Sequence, residues 1–207
     1  ASTVERFGAR FARVLAALAE DPSVPVGDVV ISDADELAQV LEQFNDTGVD
    51  FGDIDTLPAL FDAQVAQTPN AVAVVADGQS LTYREFDARA NQLARWLIDA
   101  GVGPESLVAV SLPRSADLVV ALLATIKAGG GYLPVDPTYP ADRIEYMLAD
   151  AAPVCVVTTS DSTIALPVGL PIVEIDTVDL TDVSGTTVTD ADRLVALTPQ
   201  NIAYVIY

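Results

Sequence analysis

The sequence contains no histidine and only one cysteine. Without histidine, the chain lacks the commonest general base, cannot form a Ser-His-Asp triad, and loses a ligand that most zinc sites use. The single cysteine, Cys155, lies in the apolar run at 154–157, which predicts a buried strand thiol rather than a nucleophile. A lone cysteine also excludes a disulfide within the chain, which fits a reducing compartment.

Basic residues and long apolar runs are scarce as well. The chain has 10 Lys and Arg against 30 Asp and Glu, a formal net charge of −20 at pH 7. Such a surface repels phosphate backbones and anionic lipids, so neither nucleic acid nor a membrane is expected as a partner. The longest strongly apolar run, residues 118–126, is too short to span a bilayer, and the charged N-terminal segment is unlike a signal peptide. We therefore expect a cytoplasmic protein.

The first segment predicts an amphipathic helix that ends at Asp21-Pro22. Its apolar residues recur at three- and four-residue steps on one helix face: Val4, Phe7, Phe11, Val14, Leu15 and Leu18. The extended stretch 23–28 gives this face nothing to pack on, so we expect a larger domain upstream. A second short helix at 34–44, followed by turn residues and acids, makes 33–55 the predicted interdomain linker.

The remaining residues alternate between helix and strand patterns. Thr82 and Glu85 have the spacing of a capping box, and Ser115 is the predicted N-cap of a uniformly apolar helix. A turn is predicted at Asp77-Gly78, and a polar surface loop over 177–192. Helices are predicted at 56–67, 82–100 and 116–128, and strands at 71–75, 107–112, 131–135, 154–157, 172–175 and 203–207. This alternation predicts an α/β domain with a largely parallel sheet flanked by helices.

Two features invite a functional interpretation but have simpler explanations. Glycine-rich loops cradle phosphates when they lead from a strand into a helix, whereas the run at 129–131 follows a helix and precedes a strand. We therefore predict a helix C-cap and a tight turn there. Asp176, Asp179 and Asp182 lack the spacing, the glycine and the closing glutamate of an EF-hand, so a solvated loop is predicted instead of a calcium site.

Several specific blocks resemble nonribosomal peptide synthetases. Residues 81–86 (LTYREF) and 90–94 (ANQLA) resemble the first core motif of their adenylation domains, and 126–137 (IKAGGGYLPVDP) with 139–144 (YPADRI) resemble the second nearly letter for letter. Residues 204–207 (YVIY) resemble the strand directly before the third motif, a phosphate-binding loop. Upstream, 4–25 are similar to the last helix and exit of a condensation domain, and 44–47 (FNDT) to the block that introduces an adenylation domain.

This resemblance implies an architecture and a reaction. Residues 1–32 would be the C-terminal end of a condensation domain, 33–55 the linker, and 56–207 the N-terminal part of an adenylation domain of the adenylate-forming superfamily. The complete domain would use ATP and magnesium to convert an amino acid into an aminoacyl-AMP, and would load it on the phosphopantetheine thiol of a carrier domain. Such chemistry depends on positioning and charge neutralisation, which need no histidine.

The sequence assigns no catalytic, cofactor-binding or metal-binding residue to this chain. The phosphate loop, amino-acid pocket, ribose-binding aspartate and mobile lysine of the family lie beyond Tyr207, so we expect residues 1–207 alone to be inactive, with no cofactor bound. An alternative is a freestanding acyl-CoA ligase of the same superfamily. A third hypothesis is a docking platform for a small MbtH-like protein near Ala149, Ala151 and Ala152, although an amphipathic helix closing on the sheet also explains these alanines.

Overall fold

The computed structural model describes residues 2–49, 56–76 and 78–207. The chain divides into two compact units, Ala1–Phe51 and Gly52–Tyr207. No helix within the described ranges is long and apolar enough to cross a membrane.

The first unit consists of helices joined by ion pairs. Helix α1 spans Ser2–Glu20, and helix α2 spans Ala34–Leu41 and is capped by the Asp33 carboxylate, which accepts from the Glu36 N–H. Arg13 lies 2.8 Å from Asp33, and Arg10 lies 2.5 Å from Glu36. The helix predicted at 34–44 is shorter than expected. It ends at Leu41, because the chain then tightens into a 3-10 turn at Gln43–Asn45. Residues 50–55 of the predicted linker lie outside the described residues.

The second unit begins with a helix and a hairpin. Helix α3 covers Leu57–Gln67, and Thr56 caps it by accepting from the Ala59 N–H. Strand β1 (Val72–Ala76) pairs antiparallel with strand β2 (Gln79–Thr82), a partner that the sequence patterns did not predict. Asp77 of the predicted turn lies outside the described residues, while Gly78 has a φ of 75°.

The predicted capping box is confirmed at the start of helix α4, Tyr83–Asp99. The Glu85 N–H donates to Thr82 Oγ1 at 3.3 Å, and the Thr82 N–H donates to the Glu85 carboxylate at 2.8 Å. These two bonds satisfy backbone donors that a helix start leaves free. The predicted inward stripe is also confirmed, since Phe86, Ala90, Leu93 and Leu97 are all buried.

A four-stranded parallel sheet forms the centre of this unit, in the order β4-β3-β5-β6. The strands are β3 (Leu107–Val110), β4 (Gly131–Pro134), β5 (Cys155–Thr158) and β6 (Ile172–Glu174). Helix α5 (Ala116–Ala128) packs with α4 against one face, whereas helix α6 (Ala141–Ala151) packs against the face formed by Ala109, Leu133 and Val156. Helices thus cover both faces, which confirms the predicted fold class.

Two local predictions are confirmed and one is wrong. Cys155 is fully buried in β5, as predicted, and burial raises the pKa of its thiol to about 11. Residues 177–192 form a mainly exposed loop, although Val188 is buried in the core. The strand predicted at 203–207 does not form, because only Tyr204 makes a bridge, parallel to Tyr132 of β4.

Candidate functional site

The sheet has its topological switch point between β3 and β5. The chain leaves β3 through α5 to β4 on one side, then returns through α6 to β5 on the other side. In open α/β sheets, ligands bind outside the carboxyl ends of the strands, near such a reversal. The carboxyl edge of this sheet is therefore the place to search for a site.

Ser111 and Thr158 meet at this switch point. The Ser111 N–H donates to Val157 O at 2.9 Å, and the Thr158 hydroxyl donates to Ser111 O at 3.0 Å. Ser111 is buried, and its own hydroxyl has no hydrogen-bond partner within the described residues. These contacts join the ends of the two central strands.

Residues 203–207 run beside β4, the outer strand of the sheet. The Tyr132 N–H donates to Ala203 O at 3.1 Å, and the Val205 N–H donates to Tyr132 O at 3.0 Å. The rings of Tyr132 and Tyr204 stack with their centroids 5.6 Å apart. A single bridge therefore brings this segment onto the sheet, and side chains supply the other contacts.

Tyr207 at the end of this segment contacts helix α6. Its hydroxyl donates to the Asp150 carboxylate, and this hydrogen bond raises the Tyr207 pKa to about 12. The Tyr146 ring lies edge-on at 5.9 Å, and the Arg143 guanidinium lies 5.9 Å from the Tyr207 ring centroid. Sequence reasoning missed this group, although Arg143, Tyr146 and Asp150 stand three and four residues apart on one helix face.

Behind the sheet, Lys127 forms a buried ionic cluster with two aspartates. Its Nζ lies 2.5 Å from Asp62 and 2.8 Å from Asp87, and also 5.5 Å from the centre of the Phe61 ring. Lys127 is fully buried, so its charge must be compensated inside the protein. Sequence reasoning missed this cluster, although Lys127 is the one cation in a helix that is too apolar to face water.

Polar side chains of α4 hold the loop at 177–192 in place. Asn91 is fully buried, donates to Asp87 and Gly185 O, and accepts from the Val188 N–H at 3.3 Å. Gln92 donates to the carbonyls of Leu180 and Val183, both at 3.1 Å. The polar residues of the block at 90–94 therefore bind loop backbone in this structure.

The glycine run at 129–131 is a helix end, as predicted. Gly129 caps α5 with a φ of 98°. A Cβ on Gly130 would lie 2.7 Å from Val102, and one on Gly131 would lie 2.8 Å from Ile202. Close packing requires these glycines, and none of them opens a helix N-terminus toward a phosphate.

Among the described residues, no group of three His, Cys, Asp or Glu side chains is placed to hold a metal ion. Asp176 accepts hydrogen bonds from the hydroxyl and the N–H of Ser160, and Asp179 accepts from the Thr181 N–H, so the pKa of both carboxylates is lowered. These acids are satisfied by local donors.

The alanines predicted to contact a small partner lie at the end of α6. Ala149 and Ala152 are exposed, whereas Ala151 is half-buried against the sheet. They adjoin a groove of about 380 Å³ lined by Glu145, Leu148, Ala149, Ala152, Pro153, Pro167 and Leu170. The inward packing of Ala151 agrees with an amphipathic helix that closes on the sheet. The exposure of Ala149 and Ala152 leaves these two alanines accessible to a partner.

Comparison with known proteins gives consistent similarities. Residues 61–207 match the family model of the AMP-binding enzymes. The chain is 37% identical over 206 residues to gramicidin S synthase 2 of Brevibacillus brevis, covering 99% of this chain and 4% of that protein. It is 38% identical over 211 residues to a dimodular nonribosomal peptide synthase of Bacillus subtilis (strain 168), covering 99% of this chain and 9% of the relative.

Solved structures agree with these sequence similarities. The nonribosomal peptide synthetase FmoA3, in its AMPPNP-bound form, aligns with a TM-score of 0.75 at 31% identity, covering 99% of this chain and 22% of that chain. The N-terminal subdomain of NpsA from Klebsiella oxytoca shares the fold, with a TM-score of 0.58 at 22% identity over 66% of this chain and 35% of that chain. The chain thus spans a small part of the relatives that it matches.

Proposed function

This chain belongs to the AMP-binding enzyme family, as part of a nonribosomal peptide synthetase that includes an adenylation-domain portion, and we propose that the complete domain activates an amino acid. The substrate carboxylate would attack the α-phosphate of ATP to form an aminoacyl-AMP and release pyrophosphate. The aminoacyl group would then pass to the phosphopantetheine thiol of a carrier domain. The observation that carries the proposal is the similarity to peptide synthetases over 99% of the chain.

In this proposal the present residues supply the scaffold. The switch point between β3 and β5 defines the carboxyl edge of the sheet, beside which the nucleotide would bind, and residues 203–207 run parallel to the outer strand β4. We assign no catalytic step to the described residues, because the glycine run at 129–131 follows a helix and precedes a strand. Magnesium, the phosphate loop and the substrate pocket would belong to the rest of the domain.

Pyrophosphate exchange tests the proposal. We expect residues 1–207 alone to give no amino-acid-dependent exchange of labelled pyrophosphate into ATP, and a longer protein with the whole domain to give it. Exchange by residues 1–207 alone would contradict the purely structural roles that we assign to these residues. Formation of acyl-AMP from simple carboxylic acids, without amino-acid activation, would favour the acyl-CoA ligase alternative.

A second candidate function is docking of a small MbtH-like protein at the end of α6. The supporting observation is the exposure of Ala149 and Ala152 beside the groove of about 380 Å³. Ala149→Arg, which places a bulky cation at the groove, should abolish co-purification with such a partner. Ala165→Arg, at a position outside the lining of that groove, is the matched control, and equal retention of the partner by both variants would refute the site.

A further inference from the structure

The segment that leads to Tyr207 is fixed at its start by a strained residue. Glu105 has a φ of 65°, which is uncommon outside glycine and costs energy. Its carboxylate accepts from Asn201 Nδ2 at 2.8 Å and from the Ile202 N–H at 3.4 Å. The Glu105 side chain therefore holds residues 201 and 202, just before the segment makes its single backbone bridge to β4 at Tyr204.

Helix α6 fixes the other end of the segment. Ile144, Met147 and Leu148 are buried and anchor this helix on the sheet. Its neighbouring face carries the three residues that contact Tyr207, which are Arg143, Tyr146 and Asp150. A firmly packed helix therefore presents an anion, an aromatic edge and a cation to one tyrosine.

The contact with Asp150 differs in strength from the other two. A hydroxyl that donates to a carboxylate forms a charge-assisted hydrogen bond, which is about twice as strong as a neutral one. The aromatic edge and the guanidinium over the ring also orient the tyrosine, and water weakens all three contacts because the group is exposed. The direction of the Tyr207 side chain is therefore set mainly by Asp150.

We infer that Asp150, with Tyr146 and Arg143, is a positioning residue that fixes Tyr207 and hence the direction in which the backbone leaves the carboxyl edge of the sheet. This inference rests on the proposed function and on the resemblance of residues 204–207 to the strand directly before the family's phosphate-binding loop. Backbone N–H groups bind phosphate only when they point at it, so a displaced Tyr207 weakens nucleotide binding.

The first test needs no enzymatic activity. In residues 1–207, the ring of Tyr207 can be titrated by NMR with ¹³C-labelled tyrosine. Asp150→Asn should return its pKa from about 12 toward the ordinary value of about 10. Asp142→Asn, an exposed acid at the other end of the same helix, should leave the Tyr207 pKa unchanged. An unchanged pKa in Asp150→Asn would overturn the inference whether or not the complete domain forms adenylates.

The second test uses the longer protein that carries the complete domain. Tyr207→Phe keeps the ring and removes the hydroxyl, so KM for ATP in pyrophosphate exchange should rise about tenfold, the loss expected for a hydrogen bond to a charged group. The amino-acid KM, kcat and melting temperature should stay close to those of the parent protein. Tyr204→Phe makes the same chemical change on the same segment, away from α6, and should leave KM for ATP unaltered.

The outcomes of these tests distinguish a failure of the positioning role of Asp150 from a failure of the proposed function. Equal effects of Tyr207→Phe and Tyr204→Phe, a fall in kcat alone, or a loss that tracks the melting temperature would overturn the positioning role. Additive losses in the double variant Asp150→Asn with Tyr207→Phe would overturn it too, because two residues that act through one contact cannot lose it twice. A parent protein without exchange would instead refute the proposed function, and the pKa titration would still decide the contact.

Discussion

The Nζ atom of Lys127 lies 2.5 Å from a carboxylate oxygen of Asp62, so an ion pair joins helices α5 and α3. Asp87 of α4 lies on the same cation at 2.8 Å. One buried lysine therefore ties together three helices, and its removal would leave two carboxylates close to each other inside the protein.

Lys127→Met should lower the free energy of unfolding by about 3 kcal/mol, because it leaves both aspartates without their partner. Urea denaturation measures this change. Arg89→Met is the matched control, since it breaks the partly exposed ion pair with Asp117 and should cost less than about 1 kcal/mol. Similar costs for the two variants would mean that the cluster around Lys127 is not effectively buried.

Thr82→Ala should cost about 1 kcal/mol of stability, because the Glu85 N–H loses its acceptor at the start of α4. Thr82→Ser keeps the hydroxyl and should retain most of the stability. Both values can be measured by thermal unfolding. If serine and alanine were equally destabilising, the capping hydrogen bond would not be the cause.

Acidification should destabilise the second unit below about pH 4, near the ordinary pKa of carboxyl groups. Hydrogen bonds from the Thr82 N–H and hydroxyl lower the Glu85 pKa, and bonds from the Thr189 N–H and Arg95 help to lower that of Asp192. Since the folded pKa lies below the unfolded one, the unfolded chain binds more protons there. This stabilisation is present above the unfolded pKa and is lost as the pH falls through the folded pKa.

Stability measured between pH 6 and 3 checks this dependence. Glu85→Gln removes one of these carboxylates, so its stability should fall less steeply below pH 4. An unchanged slope would show that the capping bond does not perturb Glu85.

Gly130→Ala should destabilise the protein by about 1–3 kcal/mol through overpacking. Its Cβ would lie 2.7 Å from Val102 Cγ1 and 3.1 Å from Ser106 O. Gly103→Ala is the control, since the nearest atom to its Cβ would be Leu194 Cβ at 3.5 Å, an ordinary contact. Denaturant unfolding of the two variants should separate them, and an equal response would contradict the close approach at Gly130.

Limited proteolysis should cut within residues 33–55 before it cuts within 57–157. Residues 41–49 are all exposed, while the later span contains the buried sheet and most of the core. Protease needs an accessible, locally unfolded backbone, which the sheet does not offer. Mass spectrometry of the first products identifies the site, and earlier cleavage inside 57–157 would contradict the proposed domain boundaries.

The sequence alone determined the features that depend on neighbours along the chain. The spacing of Thr82 and Glu85, the apolar stripe of α4 and the glycine at the end of α5 are local signals, and each predicts a structure formed within a few residues. The alternation of helices and strands was enough for a parallel α/β sheet. The block spanning 126–144 carried the resemblance to peptide synthetases.

Only the tertiary structure decided how distant residues pair. The apolar pattern at 203–207 predicts a strand, but ladder formation depends on register with β4, which gave one bridge at Tyr204. Likewise, Asp150 and Tyr207 are 57 residues apart, and Lys127 is 65 residues from Asp62. Local periodicity carries no information on such contacts, because they form only when packing of the sheet and helices brings separate faces together.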